Sequence, residues 1–253
     1  MILNIFQKGK KDMSGHSKWS TIKRKKEKTD QARAKVFTRI GRELAMVVKA
    51  GGPDPNVNGK LKDVIAKAKA NNVPNDNIDR IIKKATEEMK DYKELTYEGY
   101  GPGGVAVIVE TATDNSVRTV ANVRACFSKY HGNMGNSGCV SFMFDEKGLI
   151  TIEKEECDLE EDELMELALE SGAEDFDAED EEIYEITTDP ADLAAVSEAI
   201  TAKGIKLSSA DLSKIPQNYV DLDSEEDVKF MTILLDKLEE DDDVQQVYHN
   251  WNG

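Results

Sequence analysis

Apolar residues recur along the first ninety positions at helical steps. Phe37, Ile40, Leu44 and Val47 stand three and four residues apart, which places them on one face of a helix that Gly51-Gly52-Pro53 should stop. Leu61, Val64, Ile65 and Ala68 repeat the pattern with Asn58 in position to cap it. Ile78, Ile81, Ile82, Ala85 and Met89 do so again after Pro74. No helix can bury such a stripe alone, so the pattern predicts a three-helix bundle.

Beyond residue 93 the period changes. A glycine-rich turn, "GYGPGG", leads into the apolar run Val105–Val109, a buried strand. A helix carrying Val117, Val120, Val123 and Phe127 should follow, capped by Asp114 and stopped at Gly132, and then a strand in "CVSFMF", Cys139–Phe144. From Leu149 a second unit begins with the strand "LITIEK". Next come a helix marked by Leu164, Leu167 and Ala168 and ended by Gly172, and strands around 173–178 and 183–187. Asp189-Pro190 opens another helix, with Leu193, Val196 and Ile200, which Gly204 closes before a strand at 205–212. That order, β-α-β-β-α-β, is ferredoxin-like. A strand near 219–222, a helix opened by Ser224 with Asp227 as a capping box, and "VQQVYHNW" complete the first unit as another β-α-β-β-α-β.

The expected fold class is therefore α+β multidomain: an N-terminal three-helix domain followed by two ferredoxin-like α+β domains, the second inserted into the first. The expected boundaries are an unstructured extension at 1–12, a helical basic domain at 13–93, a discontinuous α+β domain at 94–146 and 216–253, and an inserted acidic α+β domain at 147–215.

Charge follows the same division. The whole chain carries a formal −17, yet residues 1–93 hold 23 Lys+Arg against 11 Asp+Glu, a balance of +12, and residues 94–253 hold 10 against 39, a balance of −29. Such asymmetry marks a module that meets a polyanion, joined to modules that do not. The segment "SKWSTIKRKKEK" supplies Lys18, Lys23, Arg24, Lys25, Lys26 and Lys28, and the first helix adds Arg33, Lys35, Arg39 and Arg42 off its apolar stripe, where solvent exposure is expected. A basic arm leading into a basic helix suits sequence-independent, salt-sensitive phosphate binding. Trp19 can stack on an unpaired base or wedge at a groove; pinning the arm against the bundle is an equal reading. These eleven residues are the candidate nucleic-acid contacts.

Other chemistries find little support. Cys126, Cys139 and Cys157 are odd in number and lack C-x-x-C spacing, which argues against a disulfide framework and a zinc finger and fits a reducing cytosol. His16, His131 and His249 form no metal-ligand spacing, and no Walker or G-x-S-x-G sequence is present. "GYGPGG" precedes a strand where a phosphate loop would precede a helix. A Cys/His131 nucleophile lacks any family signature. The carboxylates of 153–185 match no calcium-loop template and read as a solvated face that repels nucleic acid. No apolar run can span a bilayer, and "MILNIFQKGKKD" places its apolar patch before its lysines, the reverse of a secretory signal. A cytoplasmic binding protein is expected, not an enzyme, with no cofactor, no metal and no membrane contact.

Five blocks, "MSGHSKWSTIKRKKEKTDQARAKVFTRIGREL", "GGPDPNVNGKL", "AKANNVPNDNIDRIIKKAT", "YEGYGPGGVAVIVETATDN" and "GNMGNSGCVSFMF", closely resemble the YebC/PmpR family, in order along the chain from Met13. The resemblance implies three domains, agreeing with the nested reading, and makes Met13 the ordinary start. It implies one of two roles: a transcriptional regulator on promoter DNA, or a ribosome-associated factor that relieves stalling, as expected from a family that includes a mitochondrial translational activator of cytochrome c oxidase. Both would use a basic surface, on DNA or on ribosomal RNA. The expected function is a DNA-binding transcriptional regulator, with the ribosomal role a near-equal alternative and an enzyme acting on nucleic acid a distant one.

Overall fold

The computed structural model describes residues 30–87 and 92–253. Three helices come first: α1 (Asp30–Gly51), α2 (Gly59–Ala70) and α3 (Asn75–Glu87). Their stripes meet in one core, where Ile40, Leu44, Val48, Leu61, Val64, Ala68, Val73 and Ile78 are buried and Phe37 and Val47 pack alongside. Asn58 does more than cap α2. Its Oδ1 accepts from the Leu61 amide at 3.1 Å, while Nδ2 donates to the carbonyls of Val47 at 2.8 Å and Gly52 at 2.9 Å. One buried amide thus satisfies the end of α1 and the start of α2 together.

Residues 92–253 form two four-stranded antiparallel sheets with their helices, so the architecture is α+β and multidomain. The first contains β1 (Lys93–Tyr100), β2 (Ala106–Thr113), β3 (Asn133–Met134) and β8 (Val244–His249), ordered β3-β1-β2-β8. Helices α4 (Ser116–Lys129) and α7 (Glu225–Glu240) cover one face. Val105, Val107 and Val109 meet Val123, Phe127, Met231, Leu234 and Leu238 there. The second contains β4 (Phe144–Glu153), β5 (Ala173–Asp177), β6 (Ile183–Thr188) and β7 (Ser209–Pro216), ordered β5-β6-β4-β7. Its helices α5 (Glu161–Glu170) and α6 (Leu193–Ala202) bury Leu164, Ala168, Val196 and Ile200 against Ile150, Ile152 and Ile186. The second sheet has the ferredoxin-like chain order. The first has the same spatial layout of strands, but its chain begins with the hairpin β1–β2, because Lys93–Tyr100 is itself a strand paired with β2 from Lys93↔Thr113 to Tyr100↔Ala106.

Several local expectations shift. The stretch Cys139–Met143 is a loop and a short 3₁₀ turn, and only Phe144 enters a strand, in the second sheet. It folds across the back of β2, where Val140 and Phe144 pack on Ala106 and Ile108. Apolar content alone could not tell a strand from a covering loop. The cap of α4 is Asn115, whose Oδ1 accepts from the Arg118 amide; Asp114 instead meets the Arg118 side chain. The left-handed residue that ends α4 is His131, at φ +61°, and Gly132 is needed because a Cβ there would lie 2.7 Å from the Tyr100 carbonyl oxygen. A turn at Asp189–Asp192 precedes α6, the strand expected at 205–212 starts at Ser209, and the strand expected at 219–222 is reduced to one bridge, Val220 to Trp251.

Candidate nucleic-acid interface

Of the eleven basic-end residues expected to contact nucleic acid, Lys18, Trp19, Lys23, Arg24, Lys25, Lys26 and Lys28 lie outside the described residues. The four on α1 divide into two pairs. Arg33 is exposed and Lys35 half-buried near the start of the helix. Arg39 and Arg42, expected in solvent, are half-buried and turned toward the first sheet. Arg39 Nη2 donates to the Glu239 carbonyl at 2.9 Å, and Arg42 Nη1 donates to the Ala112 carbonyl at 2.7 Å and to Asp243 Oδ1 at 2.7 Å. The Tyr92 ring lies beneath the same guanidinium, 5.5 Å from its carbon.

Asp243 is the centre of that junction. Its side chain is 3% exposed, and it accepts from Arg42, from Arg118 Nη2 at 2.7 Å, from Thr119 Oγ1 at 2.7 Å and from Thr113 Oγ1 at 3.1 Å. Burial alone would raise its carboxyl, but the donors from Arg118, Thr119 and Arg42 outweigh that and hold it at about 2. The arginines that looked like phosphate ligands therefore fasten the helical domain to the first sheet and its helix α7. Sequence could not show this, because the partner is two hundred residues away.

The helical domain also reaches the second sheet. Lys67 of α2 meets Asp211 of β7 at 3.0 Å and Glu43 at 3.4 Å. Burial pulls the Lys67 ammonium down, yet the two carboxylates together raise it. The two sheets are tied through Glu110 of β2, which pairs with Lys214 of β7 and accepts from Tyr248. Burial first, and the Glu110 charge second, push the Tyr248 phenol up.

Among the described residues, the helical domain leaves further cations in water, beside the carboxylates of Asp54, Asp63, Asp76, Asp79 and Glu87. Lys49, Lys60, Lys62, Lys69, Arg80, Lys83 and Lys84 are all exposed and were not among the expected contacts. Lys62 and Lys69 stand seven residues apart, on one flank of α2. Placing the polar residues of α2 and α3 on a helical wheel would have found them. Burial pushes the Cys126 thiol up to about 11, which disfavours the thiolate a nucleophile needs.

Comparison with known proteins places this arrangement. The profile of the TACO1/YebC protein N-terminal domain matches residues 17–88, and that of the TACO1/YebC second and third domain matches residues 92–251. The chain belongs to the TACO1/YebC family. Among its TACO1/YebC relatives, a "Probable transcriptional regulatory protein" of Lachnoclostridium phytofermentans is 57% identical over 242 residues, covering 95% of this chain and 100% of that one. Another of the same name, from Agathobacter rectalis, is 58% identical over 241 residues, covering 94% and 99%. The crystal structure of a conserved hypothetical protein from Aquifex aeolicus superposes with a TM-score of 0.80 at 42% identity, over 88% of this chain and 91% of that one. No helix among the described residues of this TACO1/YebC chain is long and apolar enough to cross a membrane.

Proposed function

We propose that the protein is a nucleic-acid-binding regulator of gene expression that docks through its helical domain, acting in the cytoplasm as a DNA-binding transcriptional regulator. The observation that carries this reading is the division of charge: a balance of +12 over residues 1–93 against −29 over the remainder, with exposed cations on all three described helices. A surface of that kind binds phosphates, and the acidic remainder aims it by repelling the polyanion from the other faces. The names of the relatives support the transcriptional version.

A second reading, ribosomal RNA bound in support of translation, is favoured by one feature of α1. Arg39 and Arg42 are committed to Glu239, Ala112 and Asp243, so this half of the helix offers no base-reading arginines to a major groove. Scattered lysines suffice for the shape and phosphate recognition of folded RNA. A competition titration at matched salt separates the two. A promoter fragment that survives excess random duplex and ribosomal RNA alike carries the transcriptional reading, since discrimination of ~10³ or more is what a regulator needs. Displacement by ribosomal RNA with no preference among duplexes carries the translational one. Absence of binding to any of the three overturns both.

A further inference from the structure

In the apolar run Cys139–Phe144, one side chain turns outward. Val140 is fully buried and Phe144 nearly so, and Cys139 and Met143 pack on the same small core, but Phe142 is 69% exposed. The segment that carries it is fastened from beneath. Glu98 of β1, itself 4% exposed, accepts from the amides of Gly138 at 2.7 Å, Val140 at 2.8 Å and Ser141 at 2.8 Å. Burial would raise this carboxyl, yet the three amides hold it below its ordinary value. Tyr100 Oη donates to the Cys139 carbonyl at 3.1 Å, and the Met143 amide closes the 3₁₀ turn onto Val140 at 2.9 Å. Gly135 admits the close fold of the loop, since a Cβ there would stand 2.6 Å from Cys139 Sγ. The ring is thus held in water on a fixed support, which reduces the ordering cost of whatever it meets.

The surroundings point to one kind of partner. From Tyr130 to Phe144 there is no Asp, Glu, Lys or Arg, a run of fifteen residues within 94–253, which holds 39 carboxylates and 10 cations. A polyanion approaching this loop meets no carboxylate from the loop itself; the next in sequence are Asp145, which accepts from Gln217 at 2.9 Å, and Glu146 in β4. The other accessible residues of the same loop, Asn136, Ser137 and Ser141, are polar, so Phe142 is the loop's one exposed large apolar side chain, less than the apolar patch that suits a protein partner. Position agrees. Glu98 pairs across the sheet with Ile108, and the Arg42 junction lies at Ala112, four residues along β2 or ~14 Å. The loop is thus carried by the same sheet to which the helical domain is fastened.

We propose that Phe142 is a stacking platform for an unpaired base, a second contact that reads single-stranded segments of the nucleic acid gripped by the helical domain. This rests on the nucleic-acid reading above. Stacking needs a free π-face, so the ring engages single strands, loops or bulges and ignores intact duplex.

The test uses the full chain and short single-stranded RNAs carrying 2-aminopurine at successive positions, with a matched duplex as control. The wild type is expected to quench the fluorophore at one position. Phe142→Ala is expected to abolish that quench and to weaken single-strand binding about ten-fold, with duplex affinity and melting temperature unchanged. Phe142→Trp is expected to restore both. Unchanged quench and affinity in Phe142→Ala overturn the proposal while leaving the nucleic-acid reading intact. So does an equal loss on duplex, and so does a Phe142→Ala defect confined to binding a protein. A wild type that binds neither RNA nor DNA overturns the proposal together with the reading beneath it.

Discussion

Arg42 and Asp243, two hundred and one residues apart, meet at 2.7 Å and join the helical domain to the first sheet. The carboxylate holds Arg118 and two threonines as well, so its loss would take one acceptor from each of two guanidinium groups and two hydroxyls. Its carboxyl sits at about 2 against an ordinary 3.8, and a group depressed in the folded state stabilises above its unfolded value and loses that contribution as pH falls. The window is therefore about pH 4 down to pH 2, and the contribution is about 2 kcal/mol. Asp243→Asn should lower stability at pH 7 by about that amount and flatten the acid limb of a stability-versus-pH curve. Denaturant titrations across that range check it; an unchanged acid limb would show that the junction does not carry the charge linkage.

Asn58 offers a test confined to the helical domain. It caps α2 with its oxygen and closes α1 with its nitrogen. Asn58→Ala should cost about 2 kcal/mol, a lost cap plus two half-buried carbonyls deprived of the Asn58 donor. Asn58→Asp keeps the cap but supplies no donor, and should recover only part of the loss. Equal stability of the aspartate variant and the wild type would show that the carbonyl contacts contribute nothing.

The helical stripes of Ile40, Leu44, Leu61, Val64 and Ile78 were legible because each helix buries a face at its own period. The same holds for Leu164, Ala168, Val196 and Ile200 in the second α+β unit. Two parts of the first sheet were not legible. β1 reads as charged and polar, with Lys93, Glu94 and Glu98, because one of its carboxylates is satisfied internally by loop amides. Cys139–Met143 reads as a strand because a loop that covers a sheet needs the same apolar residues. The site fared similarly. The basic end was visible as charge, but Arg39 and Arg42 serve a junction whose other half is an aspartate near the far end of the chain.

If the arm binds phosphates, affinity for nucleic acid should fall log-linearly with salt. Replacing Lys23, Arg24, Lys25 and Lys26 together by alanine should flatten the slope by roughly one unit for each phosphate that is no longer neutralised. Replacing Arg42 by alanine should behave differently. It should change domain docking and stability more than the slope, since that guanidinium is already occupied. Filter binding at several salt concentrations distinguishes them. A slope indifferent to the four-residue change would remove the arm from the interface.

The remaining prediction concerns the nesting of the two sheets. All four strands of the second sheet lie in sequence between β3 and β8 of the first, and its two ends run side by side, with Phe144 paired to Pro216 and Asp145 to Ile215. We propose that residues 147–215 form an inserted domain that the central one tolerates because entry and exit coincide. Deleting them leaves Asp145-Glu146 as a two-residue connection between Phe144 and Pro216, the length of a tight hairpin turn, and changing that pair to Asn-Gly gives it the backbone such turns require. Phe144 stays in place over Ala106 and Ile108. The shortened chain should unfold in one cooperative transition, at somewhat lower stability because Glu110 is deprived of Lys214 and Lys67 of Asp211. Calorimetry decides it. A broad, non-cooperative melt would mean that the second sheet is required for the first to fold, and the nesting would then be one folding unit with two sheets.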